Sequence, residues 1–153
     1  MRTLLKGCDG NEQRWFSLSN VIEELAEAAP GEFLNACERD MDGPTPALPR
    51  LYVVSTSAFM TSSPHVRLLW ALEKLAWSPA HLTRAAVLLA RLAESEPLGS
   101  YGNRADRSLR DIFLSWSPHT AASIPERIQA LDVLRERVPN QAWKLLNSLL
   151  HKS

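Results

Sequence analysis

Three arginines, Arg104, Arg107 and Arg110, recur every third residue and on a helix would line one side. Guanidinium groups so spaced can grip phosphate or an acidic protein patch through forked N–H donors. Two carboxylates compete for them. Asp106 lies four residues before Arg110, and Arg107 four before Asp111, so intrahelical ion pairs are expected to absorb much of the charge. A nucleic-acid site would add aromatic platforms or further basic residues, and Tyr101 is the aromatic neighbour on offer. The second candidate surface is Trp15-Phe16, which would serve either as an exposed anchor for a partner or as an apolar cap on the first helix pair.

Signs of catalysis are sparse. His65, His81 and His119 each follow a Ser-Pro helix start, where the helix dipole disfavours the imidazolium and a neutral ring could ligate metal. No two of them have i,i+4 spacing and no cysteine pair lies near, so they read as first-turn residues and not as zinc ligands. Cys8 and Cys37 do not form a disulfide framework, and each is expected to act as a small hydrophobe. There is no G-x-S-x-G elbow, and Gly99-Ser100-Tyr101-Gly102 lacks the lysine of a phosphate-binding loop. No catalytic, cofactor-binding or metal residue is assigned, and the chain reads as non-enzymatic and without a cofactor.

The elements that would position these residues are helices. Asn20 and Glu23 have capping-box spacing ahead of Val21, Ile22, Leu25, Ala28 and Ala29. Pro30 suits the first position of a second helix, carrying Phe33, Leu34 and Cys37, which Asp42-Gly43-Pro44 would stop. Residues 43–63 are rich in Pro, Ser and Thr and read as a binding loop or insert, with Leu51-Tyr52-Val53-Val54 irregular. From Ser63-Pro64 the apolar stripe Leu68, Leu69, Leu72, Leu75 and Ala76 is widened by Val66, Trp70 and Trp77, predicting a helix buried on two sides. Ser78-Pro79 would cap an antiparallel successor with Leu82, Ala85, Ala86, Leu89, Leu92 and Ala93. Asp106 would cap a short helix reaching Trp116. Ser123 and Glu126 form a further capping box, and Pro139 opens a Leu-rich final helix. Trp70, Trp77, Trp116 and Trp143 all lie on or beside apolar stripes and are expected in the core.

With 153 residues, 45% of them apolar and 22% charged, the chain can bury a core as one domain, 1–153, divided into a helix pair (1–42), the loop (43–63) and helical hairpins (64–153). Equal numbers of acidic and basic residues argue against a general nucleic-acid binder, although residues 1–62 are net acidic and 63–153 net basic. No apolar run spans a bilayer and no secretory signal opens the chain, so a cytoplasmic location is expected. Trp77-Ser78-Pro79 recurs as Trp116-Ser117-Pro118, a spacing in the range of two-helix repeats. An irregular α-solenoid is therefore the first expectation for this all-α chain, and a compact helical bundle the second. The Leu-rich last helix has no C-capping glycine, which suggests that further repeats follow in a larger protein.

Four segments carry a family likeness: Leu68-Leu69-Trp70-Ala71-Leu72-Glu73, Leu75-Ala76-Trp77-Ser78-Pro79, Leu89-Ala90-Arg91-Leu92-Ala93 and Ser108-Leu109-Arg110-Asp111-Ile112-Phe113-Leu114. Across residues 64–150 the chain resembles the helical region that follows the nucleotide-binding core in large bacterial STAND-type NTPases. The resemblance implies a sensor that engages a foreign trigger protein in antiphage defence. The family's nucleotide-binding motifs are not in this sequence, so no ATPase residue is carried over. Residues 98–105 also depart from the Gly- and Pro-rich connection expected there. The partner expected is thus a protein, either further repeats of a larger chain or the trigger. The alternatives are a stand-alone helical protein that binds a partner or itself, and a nucleic-acid binder using Arg104, Arg107 and Arg110.

Overall fold

The computed structural model describes residues 2–51, 63–96 and 104–151. Tyr52-Val53-Val54, the Ser/Thr clusters up to Ser62, and Gly99 to Gly102 with Tyr101 lie outside the described residues. By internal contacts the chain divides into two units, Met1–Ala71 and Leu72–Ser153. Among the described residues the regular structure is helical and contains no strand, as the apolar periodicity predicts. No described helix is long and apolar enough to cross a membrane.

The first unit holds α1 (Arg2–Leu5), α2 (Glu12–Leu18), α3 (Ile22–Ala28) and α4 (Pro30–Asp42). Pro30 occupies the start of α4, where its missing N–H is no loss. The capping box expected at Asn20 does not form. Asn20 lies in a 3-10 turn, Ser19–Val21, and α3 begins at Ile22 behind Val21, which provides no side-chain cap. Asn11 is a true cap instead. Its Oδ1 accepts the Arg14 backbone N–H at 3.1 Å and opens α2, a helix the apolar pattern does not announce. Trp15 thus sits inside a helix and is fully enclosed, its ring edge-on to Phe33 with centroids 6.4 Å apart.

Asp40 organises the chain on both sides of α4. Its side chain is wholly buried, and the carboxylate accepts backbone N–H bonds from Gly10 (2.7 Å), Ala47 (3.0 Å) and Leu48 (2.9 Å). Gly10 meets it with φ +68°, and a Cβ there would stand 3.1 Å from the Thr45 carbonyl oxygen, so glycine is favoured on both counts. From the outside Arg50 closes the same loop. It donates to the carbonyls of Pro46 (3.0 Å) and Gly10 (3.0 Å) and pairs with Glu12 at 2.8 Å. The start of the expected 43–63 loop is therefore built into the core: Ala47, Leu48 and Leu51 are buried, and Leu48–Arg50 is a 3-10 turn.

α5 (Pro64–Trp77) begins as expected, with the Ser63 hydroxyl accepting the Val66 N–H at 3.2 Å. Leu68, Leu69, Ala71, Leu72, Leu75 and Ala76 are buried, whereas Trp70 and Trp77 face outward and do not widen the buried stripe. Ser78-Pro79 does not cap the next helix. Residues Ser78–His81 form a turn closed by His81 N–H to the Ser78 carbonyl (3.0 Å), and α6 starts at Leu82.

In the second unit α6 (Leu82–Ser95) packs against α7 (Ala105–Ile112), α8 (Ile124–Arg137) and α9 (Pro139–Leu150). Its run from Ala85 to Ala90 is buried on every side, together with Leu82 and Leu92. Alanines at 85, 86 and 90 let the neighbouring helices come close while the leucines fill the space between them. α7 ends at Ile112, short of Trp116, and the segment beyond it returns to the end of α5. There the Thr120 hydroxyl donates to the Ala76 carbonyl (2.7 Å) and the Ala121 N–H to that of Trp77 (2.8 Å), serving carbonyls the helix leaves without partners. The Ser123–Glu126 capping box is present in full, with Ser123 N–H donating to the Glu126 carboxylate at 2.7 Å.

Asp40 and Glu126 each carry a testable consequence. Asp40→Ala strands the N–H groups of Gly10, Ala47 and Leu48, and at about 1–3 kcal/mol for each buried orphan the loss is at least about 3 kcal/mol. Urea unfolding checks this; a change under about 1 kcal/mol would refute the reading of Asp40 as the organiser of its unit. Glu126 has its pKa lowered below the ordinary value of 4.5 by the Ser123 backbone hydrogen bond and then by the Ser123 side chain. A lowered pKa gives stability that is present above the ordinary carboxylate range and lost as the pH falls through the folded value. Glu126→Gln keeps an acceptor but no titration, so its melting temperature should fall less steeply than the parent's in acid; identical acid limbs would contradict the coupling.

Candidate functional site

α7 is anchored from outside its own sequence. Arg104 stands in the N-cap position with no capping side chain, and the Glu96 carboxylate supplies the missing acceptor, taking the Ala105 N–H at 2.8 Å. The Glu96 side chain is 3% exposed, and its charge is met by the positive end of the helix and by Arg104 at 3.8 Å. Asp106 Oδ1 takes the other edge of Arg104, Nε at 3.2 Å, as well as the Arg107 N–H at 2.8 Å. Inside the unit, the Ser108 hydroxyl donates to the Glu73 carboxylate, and Leu109 and Ile112 are buried. These contacts fix both the start and the rotation of the helix.

With that rotation set, Arg107 and Arg110 face α9. From α9 come Gln141, Lys144 and Ser148, spaced i, i+3, i+7, over a floor of Leu109 and Leu145, and the groove so formed encloses about 220 Å³. The intrahelical pairing expected for the arginines is not what forms. Asp106 is drawn to Arg104, and among the described residues Arg110 has no carboxylate partner and its buried Nε no hydrogen-bond acceptor. A one-turn-wide ladder on a short helix thus becomes half of a two-helix groove. The α9 half is not among the residues that the sequence singles out. Its signal is the polar spacing of 141, 144 and 148 on the side of α9 away from Trp143 and Leu146, but only packing can say that this side meets α7.

The other candidate residues separate. Trp15 is enclosed and so cannot be a surface anchor, whereas Phe16 beside it is 37% exposed. Tyr101 lies outside the described residues. The core placement expected for Trp70, Trp77, Trp116 and Trp143 is overturned: all four are exposed, Trp143 at 69%. On α9, Trp143 and Leu150 make an outward apolar stripe with the partly buried Leu146 between them, and on α8 the exposed Ile124 and Ile128 do the same. From α5 onward the helices bury their leucines and alanines and leave the tryptophans outside.

The residues considered for metal or redox chemistry are dispersed. His65 is buried, His81 precedes α6, and His119 donates its backbone N–H to the Asp111 carbonyl. Among the described residues no cluster of His, Cys, Asp or Glu could hold a metal ion. Cys8 and Cys37 are both fully buried and neither forms a disulfide. Burial pushes the Cys8 thiol up, with Arg14 pulling weakly the other way, so it is held as the unreactive thiol. Compared with protein-family models, with curated proteins and with solved structures, the chain matches none.

Proposed function

We propose that this chain is a non-enzymatic helical module that works by binding another protein through the outer surface of its second unit. The observation that carries this reading is the α9 stripe, where Trp143 is 69% and Leu150 72% exposed on a helix whose other face is packed. Large rings and leucines displayed in register are what an amphipathic helical partner or a further helix layer would cover. Tryptophan is also the residue type most enriched among side chains that dominate binding energy. In its narrower form the proposal takes the covering layer to be the next helices of a solenoid-like array in a larger protein. The resemblance of residues 64–150 to the helical sensor region of STAND-type NTPases supports that form, as does the repeated Trp-Ser-Pro. A self-associating chain is the second form, since one apolar stripe can also meet its own copy.

A photo-crosslinking residue at position 143, expressed in the source cells, tests the reading against the same residue at the exposed polar position 129 on α8. The expected outcome is a discrete adduct at 143 and none at 129. An adduct at twice the mass of the chain would assign the stripe to self-association. Equal labelling at both positions, or none at either, would overturn the proposal.

A further inference from the structure

We infer that the groove between α7 and α9 is a binding site for a phosphoryl group. Its size sets the first limit: about 220 Å³ admits a single anionic group and not a folded element. Its charge sets the second. Arg104, Arg107, Arg110 and Lys144 line it against one lining carboxylate, Asp106. The buried Glu96, bound to Arg104, removes one further positive charge. Setting the ion-paired Arg104 and also Arg107 aside, Arg110 and Lys144 meet no carboxylate among the described residues, and those two cations match a phosphate monoester carrying about −1.5 to −2 at neutral pH where a single carboxylate would leave one uncompensated.

The donor set agrees with this. Guanidinium groups present planar forks suited to phosphoryl oxygens, Lys144 adds a point charge, and the Gln141 amide adds a neutral donor from the opposite wall. Arg110 lines the groove, and its Nε is buried with no acceptor among the described residues, so a turn of the guanidinium toward a bound anion would satisfy a donor that is otherwise orphaned. The walls are also held in place beforehand. Arg104 is committed to Glu96 and Asp106, Ser108 to Glu73, and the Ser148 hydroxyl donates back to the Leu145 carbonyl at 2.7 Å. Binding would therefore have to order the Arg110 and Lys144 side chains but not the walls that carry them. This inference is independent of the α9 apolar stripe, because Trp143 and Leu150 do not line the groove.

The test is a titration of the labelled full chain followed by NMR at the arginine Nε–H groups, at constant ionic strength. Inorganic phosphate, a capped phosphoserine tripeptide and sodium chloride are the three probes. Saturable movement of the Arg110 signal with phosphate, absent with chloride, is the expected result. Arg110→Gln or Lys144→Gln should weaken binding about tenfold, the loss of one charge-assisted hydrogen bond, with unchanged melting temperatures. Tighter binding of the phosphopeptide than of phosphate would name a phosphorylated protein segment as the source; equal binding would name a free phosphoryl ligand. Shifts that track ionic strength alone, or that survive both substitutions, would overturn the inference. So would a DNA duplex that displaces phosphate with a steep salt dependence, because that would make the groove part of a nucleic-acid surface.

Discussion

The second unit depends on one helix whose middle has no outside. The stretch of α6 from Ala85 to Ala90 is buried all the way round, and a helix of that kind must be sheathed by others if its apolar surface is to leave water. α7, α8 and α9 provide the sheath, and the alanines of α6 determine how closely they approach. Once three helices are pressed around a fourth, their outer faces are set by the side chains left over. α7 and α9 come together with their basic and amide side chains between them, and α9 and α8 are left with Trp143, Leu150, Ile124 and Ile128 outside. The basic groove and the apolar stripe are both consequences of burying α6.

The first unit solves a different problem with a charge. Its helices are short, and the chain after α4 turns back with little regular structure to satisfy its N–H groups. One buried carboxylate, Asp40, takes up two of them together with the Gly10 N–H from before α4, and thereby joins Gly10 to Ala47 and Leu48. A group of this kind is costly to bury alone and valuable when every lone pair is used, because each donor it serves would otherwise be an orphan in the core. Glu96 repeats the device in the second unit, where a carboxylate distant in sequence from the helix interior caps α7 and in doing so takes Arg104 away from the surface.

These two carboxylates also mark the limit of what the sequence can say. Helix positions that rest on local chemistry are legible: Pro30 and Pro139 at helix starts, the Ser63 cap, the Ser123–Glu126 box and the leucine stripes of α5 and α6. Positions that rest on a distant partner are not. Nothing near Asp40 in the sequence announces that it holds residues 47 and 48, and so the start of a Pro-rich stretch reads as loop when it is core. Asp106 stands two residues from Arg104, but nothing there shows that it will turn to Arg104 beside Glu96 and leave Arg110 without a carboxylate among the described residues. The tryptophans mislead for another reason. Residues beside an apolar stripe lie at its border, and whether the border is covered depends on how many helices surround it. Trp15 shows the converse, since its short helix has too few apolar residues to display a stripe and the ring is nonetheless enclosed.

From α5 onward the helices pack on leucine and alanine and keep their tryptophans at the surface, where a partner can reach them. Labelling the five tryptophans with fluorine and measuring the solvent isotope shift of each signal on transfer from water to heavy water tests this most directly. Trp70, Trp77, Trp116 and Trp143 should respond while Trp15 stays silent. A silent Trp143 in the isolated monomeric chain, or a responsive Trp15, would contradict it.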